Sequence, residues 1–150
     1  RNLMKAGFEV SIYTRTKSKV EDVIGEGAIW CDSVAECAKG RDAVISIVGY
    51  PKDVIEVYFG PAGILANADP GTYVIDMTTT SPKLAVQIFD EAEKLGLHAI
   101  DAPVTGGDSG AKAGTLTILA GGKKEDFDTC MPVFEASTRR CVIRSLSPEL

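Results

Sequence analysis

Seven residues from Asp42 to Val48, DAVISIV, restrict this chain more than any other stretch. They are nearly all apolar and end in the turn Gly49-Tyr50-Pro51. A short uninterrupted apolar run is what a strand buried on both faces looks like, and such strands belong to parallel sheets covered by helices on both sides. The flanking sequence alternates accordingly. Strand patterns at Glu9 to Thr14, Ala28 to Cys31, Thr72 to Met77, Leu97 to Asp101 and Leu116 to Ala120 are separated by helical spacings. Those are Val20, Val23 and Ile24; Val34, Ala35 and Ala38 behind the cap Ser33; Val54, Val57 and Tyr58; and Leu84, Ala85, Ile88, Phe89, Ala92 and Leu95 behind Ser81-Pro82. A last helix is expected over Lys124 to Ala136, interrupted at Pro132. The expected class is α/β, a doubly wound sheet in one domain.

Composition narrows the partners. With 150 residues, 45% hydrophobic and 25% charged, the chain can bury an ordinary globular core. A net charge of −5 and the lack of a Lys/Arg run argue against nucleic-acid or anionic-membrane surfaces. No apolar stretch is long enough to span a bilayer, so a cytoplasmic protein acting on small molecules is expected. Cys31, Cys37, Cys130 and Cys141 share no ligand spacing and His98 is the one histidine, so no metal site is expected and His98 reads as structural.

The stretch DAPVTGGDSGAKAGTL, Asp101 to Leu116, breaks from a strand into a run with four glycines. Glycine lets backbone N–H groups come close to a ligand, and a helix starting near Ser109 to Ala113 would turn its free N–H groups toward the same place. Such a loop suits a carboxylate or phosphate on a small substrate.

This string resembles the substrate-binding signature of the β-hydroxyacid dehydrogenases, the family of 3-hydroxyisobutyrate dehydrogenase and tartronate semialdehyde reductase. It departs mainly at Thr105, where serine is usual. The resemblance runs from about Asn2 to Ala136 and implies a Rossmann-like NAD(P)-binding domain. It also implies hydride transfer between the nicotinamide and a small hydroxyacid or semialdehyde. Thr105, Gly106 and Gly107 would cradle the substrate carboxylate, and Thr79 in Thr78-Thr79-Thr80 would contact the nicotinamide end. Val48 and Gly49 would lend their backbone to the cofactor.

In such a sheet the end of the second strand reads the adenosine ribose, by an acidic side chain for NAD or an Arg for NADP. The chain has Thr14-Arg15-Thr16-Lys17-Ser18-Lys19 there, three cations and no carboxylate. Arg15 and Thr16 are therefore read as the 2′-phosphate site, and NADP is favoured over NAD.

The family's first strand, its G-x-G-x-x-G loop, its general acid/base lysine and its all-helical second domain have no counterpart in the sequence. Lys112 and Lys123 fall outside the catalytic position, so no catalytic residue is assigned. Residues 1–136 are read as a partial Rossmann-like domain, and 137–150 as a divergent tail left by a frameshift or truncation. Activity is expected to be absent from the chain as given, and oligomerisation to depend on the missing helical domain. The alternatives are a dinucleotide-binding domain without redox chemistry, and a 6-phosphogluconate dehydrogenase-like enzyme with a similar substrate loop.

Overall fold

The computed structural model describes residues 1–145. The first half holds α1 (Asn2–Lys5), β1 (Ser11–Ile12), a 3-10 turn (Lys17–Lys19), α2 (Glu21–Gly25), β2 (Ile29–Trp30) and α3 (Val34–Ala38). Next come β3 (Ala43–Ser46), α4 (Pro51–Phe59), α5 (Ile64–Asn67), β4 (Tyr73–Asp76) and α6 (Pro82–Lys94). The remainder forms β5 (His98–Asp101), β6 (Val104–Thr105), α7 (Gly107–Ala113), β7 (Leu116–Gly122), α8 (Lys124–Ser137) and β8 (Thr138–Ser145).

The helix starts follow the expected chemistry. Ser33 Oγ accepts from the Glu36 amide at 3.1 Å, and Ser81 Oγ from the Leu84 amide at 3.2 Å ahead of Pro82. At the entry to α4 the Tyr50 amide donates to Asp53 Oδ2 at 3.1 Å, so a buried carboxylate stands in the first turn. Gly7, at φ 94, closes α1.

Strands β3, β4 and β5 are parallel and in register, Val44 beside Val74 beside Ala99 and Ile45 beside Ile75 beside Ile100. Because side chains alternate, the first row packs with Val54 and Tyr58 of α4, Ile64 and Leu65 of α5, and Leu84, Ile88 and Ala92 of α6. The second packs with Ile118, Ala120, Cys130 and Phe134 from β7 and α8. The sheet is thus covered on both faces, as DAVISIV requires.

Four local expectations change. Strand β7 runs antiparallel to β5, where it meets Asp101 through Gly121, so the sheet is mixed. Gly121 and Gly122 stay in the strand rather than forming a turn. A Cβ on Gly122 would stand 3.2 Å from the Ala99 carbonyl, and glycine lets the two strands approach. Helix α8 runs through Pro132 without interruption; that residue is exposed, so the carbonyl it leaves without a donor faces water. Ile47, expected inside, is 66% exposed.

Ile47 lines a gap. Among the described residues strand β1 pairs with β2 alone, in a separate two-stranded parallel sheet, and no strand lies between β1 and β3. The gap forms two cavities of about 410 and about 450 Å³, one bordered by Ser11 to Arg15 and Val44 to Gly49, the other by Phe8 to Ile12 and Asp42 to Ile45. The residues set apart as a tail continue the fold up to Ser145: β8 pairs in parallel with β7, with an irregularity between Leu116 and Thr117. Residues 146–150 lie outside the described residues. Among the described residues no helix is long and apolar enough to cross a membrane.

His98 is the first residue of β5, at the opposite end from the carboxyl ends of the strands. Its Nδ1 lies 3.0 Å from Asp126 Oδ1 of α8, and Tyr73 stacks on its ring with centroids 4.5 Å apart. That is the structural role expected of it.

Candidate functional site

The carboxyl ends of β3, β4 and β5 end in one polar row, Ser46 beside Asp76 beside Asp101. Ser46 Oγ donates to Asp76 Oδ1 at 3.0 Å. A hydroxyl has one proton to give, so the 2.8 Å contact between Ser46 Oγ and Tyr58 Oη is a bond donated by the tyrosine. Burial, and then the charge of Asp76, push the Tyr58 hydroxyl well above its ordinary range, which keeps it a neutral donor. Asp76 is 4% exposed and its Oδ2 is buried without a partner. Burial, and then Asp76, push the Asp101 carboxyl up to about 6.

This row holds the loops that follow it. The Thr78 amide donates to Asp76 Oδ1 at 3.1 Å, and Thr78 Oγ1 accepts from the Val48 amide at 3.0 Å. The Thr78 hydroxyl thus joins the β3 and β4 loops. Thr79 next to it is exposed, and Thr80 Oγ1 is buried with no partner. Val48 is half-buried and Gly49 exposed on the wall of the 410 Å³ cleft, within the size range of small-molecule sites. A Cβ on Gly49 would meet nothing closer than Asp53 Oδ2 at 3.8 Å, which leaves its backbone approachable.

Arg15 borders the same cleft from the β1 side. Its guanidinium is engaged: one terminal nitrogen donates to Asp53 Oδ1 and to Glu56 Oε2, both at 2.9 Å. The hydrogen bond to Asp53, then the charges of Asp53 and Glu56, raise its pKa further. Thr16 is exposed at the head of the 3-10 turn, and its side chain makes no capping bond. Lys17 lies over the Trp30 ring, 5.2 Å from its centroid.

Thr105, Gly106 and Gly107 are exposed beyond β5 and lead into α7. Gly106 and Gly107 have φ of 130° and 63°, conformations that favour glycine. A Cβ on Gly107 would meet nothing within 4 Å, so the space over this amide is open, whereas one on Gly106 would press on Leu116 at 3.3 Å. The helix begins at Gly107, earlier than expected.

The lysines face elsewhere. Lys112 pairs with Asp108 at 2.7 Å and Lys123 with Glu93 at 2.7 Å. The four cysteines are free; burial raises the Cys37 thiol to about 11 and the Cys130 thiol to about 12, away from reactive thiolate. Two features escaped the sequence reading, the Ser46–Asp76–Asp101 row and the carboxylates on Arg15. The first had a signal, an aspartate closing each of two apolar strands, YVID and HAID.

Comparison with known proteins agrees with this geometry. Residues 1–145 match the family described as the NAD binding domain of 6-phosphogluconate dehydrogenase. An uncharacterized oxidoreductase of Bacillus subtilis is 52% identical over 133 residues, which are 89% of this chain and 46% of the relative. The Mycobacterium tuberculosis 3-hydroxyisobutyrate dehydrogenase, solved with L-serine, superposes with a TM-score of 0.90 at 29% identity, covering 96% of this chain and 48% of that one. A structure titled Psf3 in complex with NADP+ and 2-OPP has a TM-score of 0.92 at 23% identity over 99% of this chain and 52% of that one, a likeness of fold. The chain thus spans about half the length of the relatives it matches. With a Rossmann-like cleft at its strand ends and a match through its whole described length, the chain belongs to the NAD(P)-binding domain family of 6-phosphogluconate dehydrogenase, together with 3-hydroxyisobutyrate dehydrogenase relatives.

Proposed function

We propose that the chain is the cofactor-binding domain of an NADP-linked dehydrogenase of the 3-hydroxyisobutyrate type. It would move a hydride between NADP and a small hydroxyacid or semialdehyde. The observation that carries this reading is the placement of the open Thr105–Gly107 loop beyond the same strand ends that present Val48, Gly49 and Thr79. In α/β sheets ligands bind outside the carboxyl ends of the strands, where the order reverses.

The residues fit the group. Arg15 and Thr16 would hold the 2′-phosphate, the backbone at Val48 and Gly49 would pass along the adenosine, and Thr79 would meet the nicotinamide end. When bound, NADP supplies the hydride acceptor or donor. Thr105, Gly106 and Gly107 would take the substrate carboxylate, with the open space over Gly107 leaving room for it. The relative solved with L-serine, a small hydroxyacid, and the fold neighbour solved with NADP+ support the choice of ligands.

Calorimetric titration of both nucleotides into the intact protein tests the reading. NADP is expected to bind more tightly, and Arg15→Ala to weaken it by about 1.5 kcal/mol, the low end for a hydrogen bond to a charged group because Arg15 must leave two carboxylates. Equal affinities, or a preference for NAD, would end the NADP assignment.

A second reading is a dinucleotide-binding domain without redox chemistry. The pairing of Lys112 and Lys123 with Asp108 and Glu93 favours it for the chain taken alone, since neither lysine is offered to the site as a general acid. NADPH consumption with a panel of small semialdehydes separates the two: binding without turnover is expected of the 150-residue chain alone, and turnover of the intact protein.

A further inference from the structure

Arg15 is held across the mouth of the cleft. It extends from the segment after β1 and binds two side chains of α4, on the far side of a cavity that both Arg15 and Asp53 line. The two carboxylates differ. Asp53 has a side chain only 10% exposed, and its second oxygen is fixed on the Tyr50 amide that starts α4. Glu56, one turn on, has a side chain 73% exposed, and among the described residues its side chain bonds to Arg15 alone. Asp53 is therefore anchored by the fold, while Glu56 can swing away at little cost.

We propose that Asp53 and Glu56 set the choice between NADP and NAD by competing with the ribose 2′-phosphate for Arg15. The proposal rests on the reading of Arg15 as the phosphate reader. A phosphate would have to draw the shared guanidinium nitrogen from both carboxylates, and the anchored Asp53 would stay nearby and repel it. A dinucleotide ending in a 2′-hydroxyl needs no such exchange, and the acidic pair would even serve its hydroxyls. The carboxylates thus hold back the NADP preference that Arg15 and Thr16 would otherwise confer. Glu56 is a specificity-determining residue on this account, and Asp53 both a helix cap and a rest for the arginine.

The test is nucleotide titration of the intact protein as wild type, Arg15→Ala, Glu56→Gln and the double variant. Glu56→Gln is expected to tighten NADP roughly two- to fivefold, the range of an exposed ion pair, and to leave NAD within about twofold. The gain should vanish in the Arg15→Ala background, because the coupling runs through the arginine. An unchanged NADP-to-NAD ratio in Glu56→Gln overturns the proposal, as does an equal gain with Arg15 removed, which would mean that Glu56 acts by its own charge alone. If Arg15→Ala itself leaves the ratio unaltered, the phosphate-reader assignment falls first and the proposal with it. Glu56→Ala repeats the experiment with a second, exposed substitution, so a folding defect in one variant does not decide the result.

Discussion

Replacing Asp101 by asparagine should make the protein more stable at neutral pH and flatten its response to acid. Asp101 ends β5 beside Asp76, and burial and then that neighbour push its carboxyl from 3.8 up to about 6. The small cavity beside it is lined by Asp76 from β4 and by Ala85, Ile88 and Phe89 from α6, a second carboxylate and apolar side chains. Between about pH 4 and pH 6 the folded protein keeps a proton on Asp101 that the unfolded chain has released. A raised carboxyl pKa therefore gives stability that is present below the unfolded value and lost as pH rises through the folded one. At 1.36 kcal/mol per unit the shift would cost about 3 kcal/mol above pH 6. Asp101 keeps partial access to water, which screens the repulsion and brings the expected cost to about 1–2 kcal/mol. Asp101→Asn keeps the shape without the charge and should regain that amount at pH 7 to 8. Urea unfolding across pH 4 to 8, followed by circular dichroism because Trp30 lies in the other sheet, measures it. A wild-type slope that persists in Asp101→Asn would refute the account of the strand-end row.

Two further outcomes follow from the same site. Ser46→Ala leaves the buried Tyr58 hydroxyl without its acceptor, so it should destabilise by about 1–3 kcal/mol, and adding Tyr58→Phe should recover part of that loss in the same urea assay. Gly107→Val places a side chain in the open space over the amide at φ 63, costing about 1–2 kcal/mol in backbone strain while raising KM for the substrate strongly; an unchanged KM in the folded variant would make the loop an ordinary turn.

Alternation of pattern revealed most of the elements but not how far each would extend. Six residues, Glu9 to Thr14, read as a strand, yet only Ser11 and Ile12 form one, because β1 has a partner on one side and a gap on the other. Periodicity reports which side chains can be buried; a ladder also needs a neighbour to accept its hydrogen bonds. Ile47 fails for the same reason, as an apolar residue of a two-faced strand that faces the gap. Pro132 fails for another. A proline inside a helix removes one hydrogen bond and crowds the preceding turn, and the position of Pro132 on the wet face of α8, where water can meet the freed carbonyl, is visible only once the opposite face, with Cys130 and Phe134, is seen in the core.

The site was legible as a list of donors and not as a set of partners. Arg15 is the clearest case, since its charge and position along the chain are plain in the sequence. Asp53 and Glu56 stand 38 and 41 residues away and meet it only because the fold sets α4 across the cleft from the segment after β1. Asp76 and Asp101 likewise look like ordinary strand ends until register sets them side by side. That register matters to chemistry as well as to stability. Asp76 fixes Thr78, Thr78 fixes Val48, and Asp101 leads into the loop proposed for the substrate, so the two candidate loops hang from adjacent residues of one polar row. The proposed hydride transfer would tolerate little error in the distance between donor and acceptor carbons, and loops hung from one row would help to hold that distance.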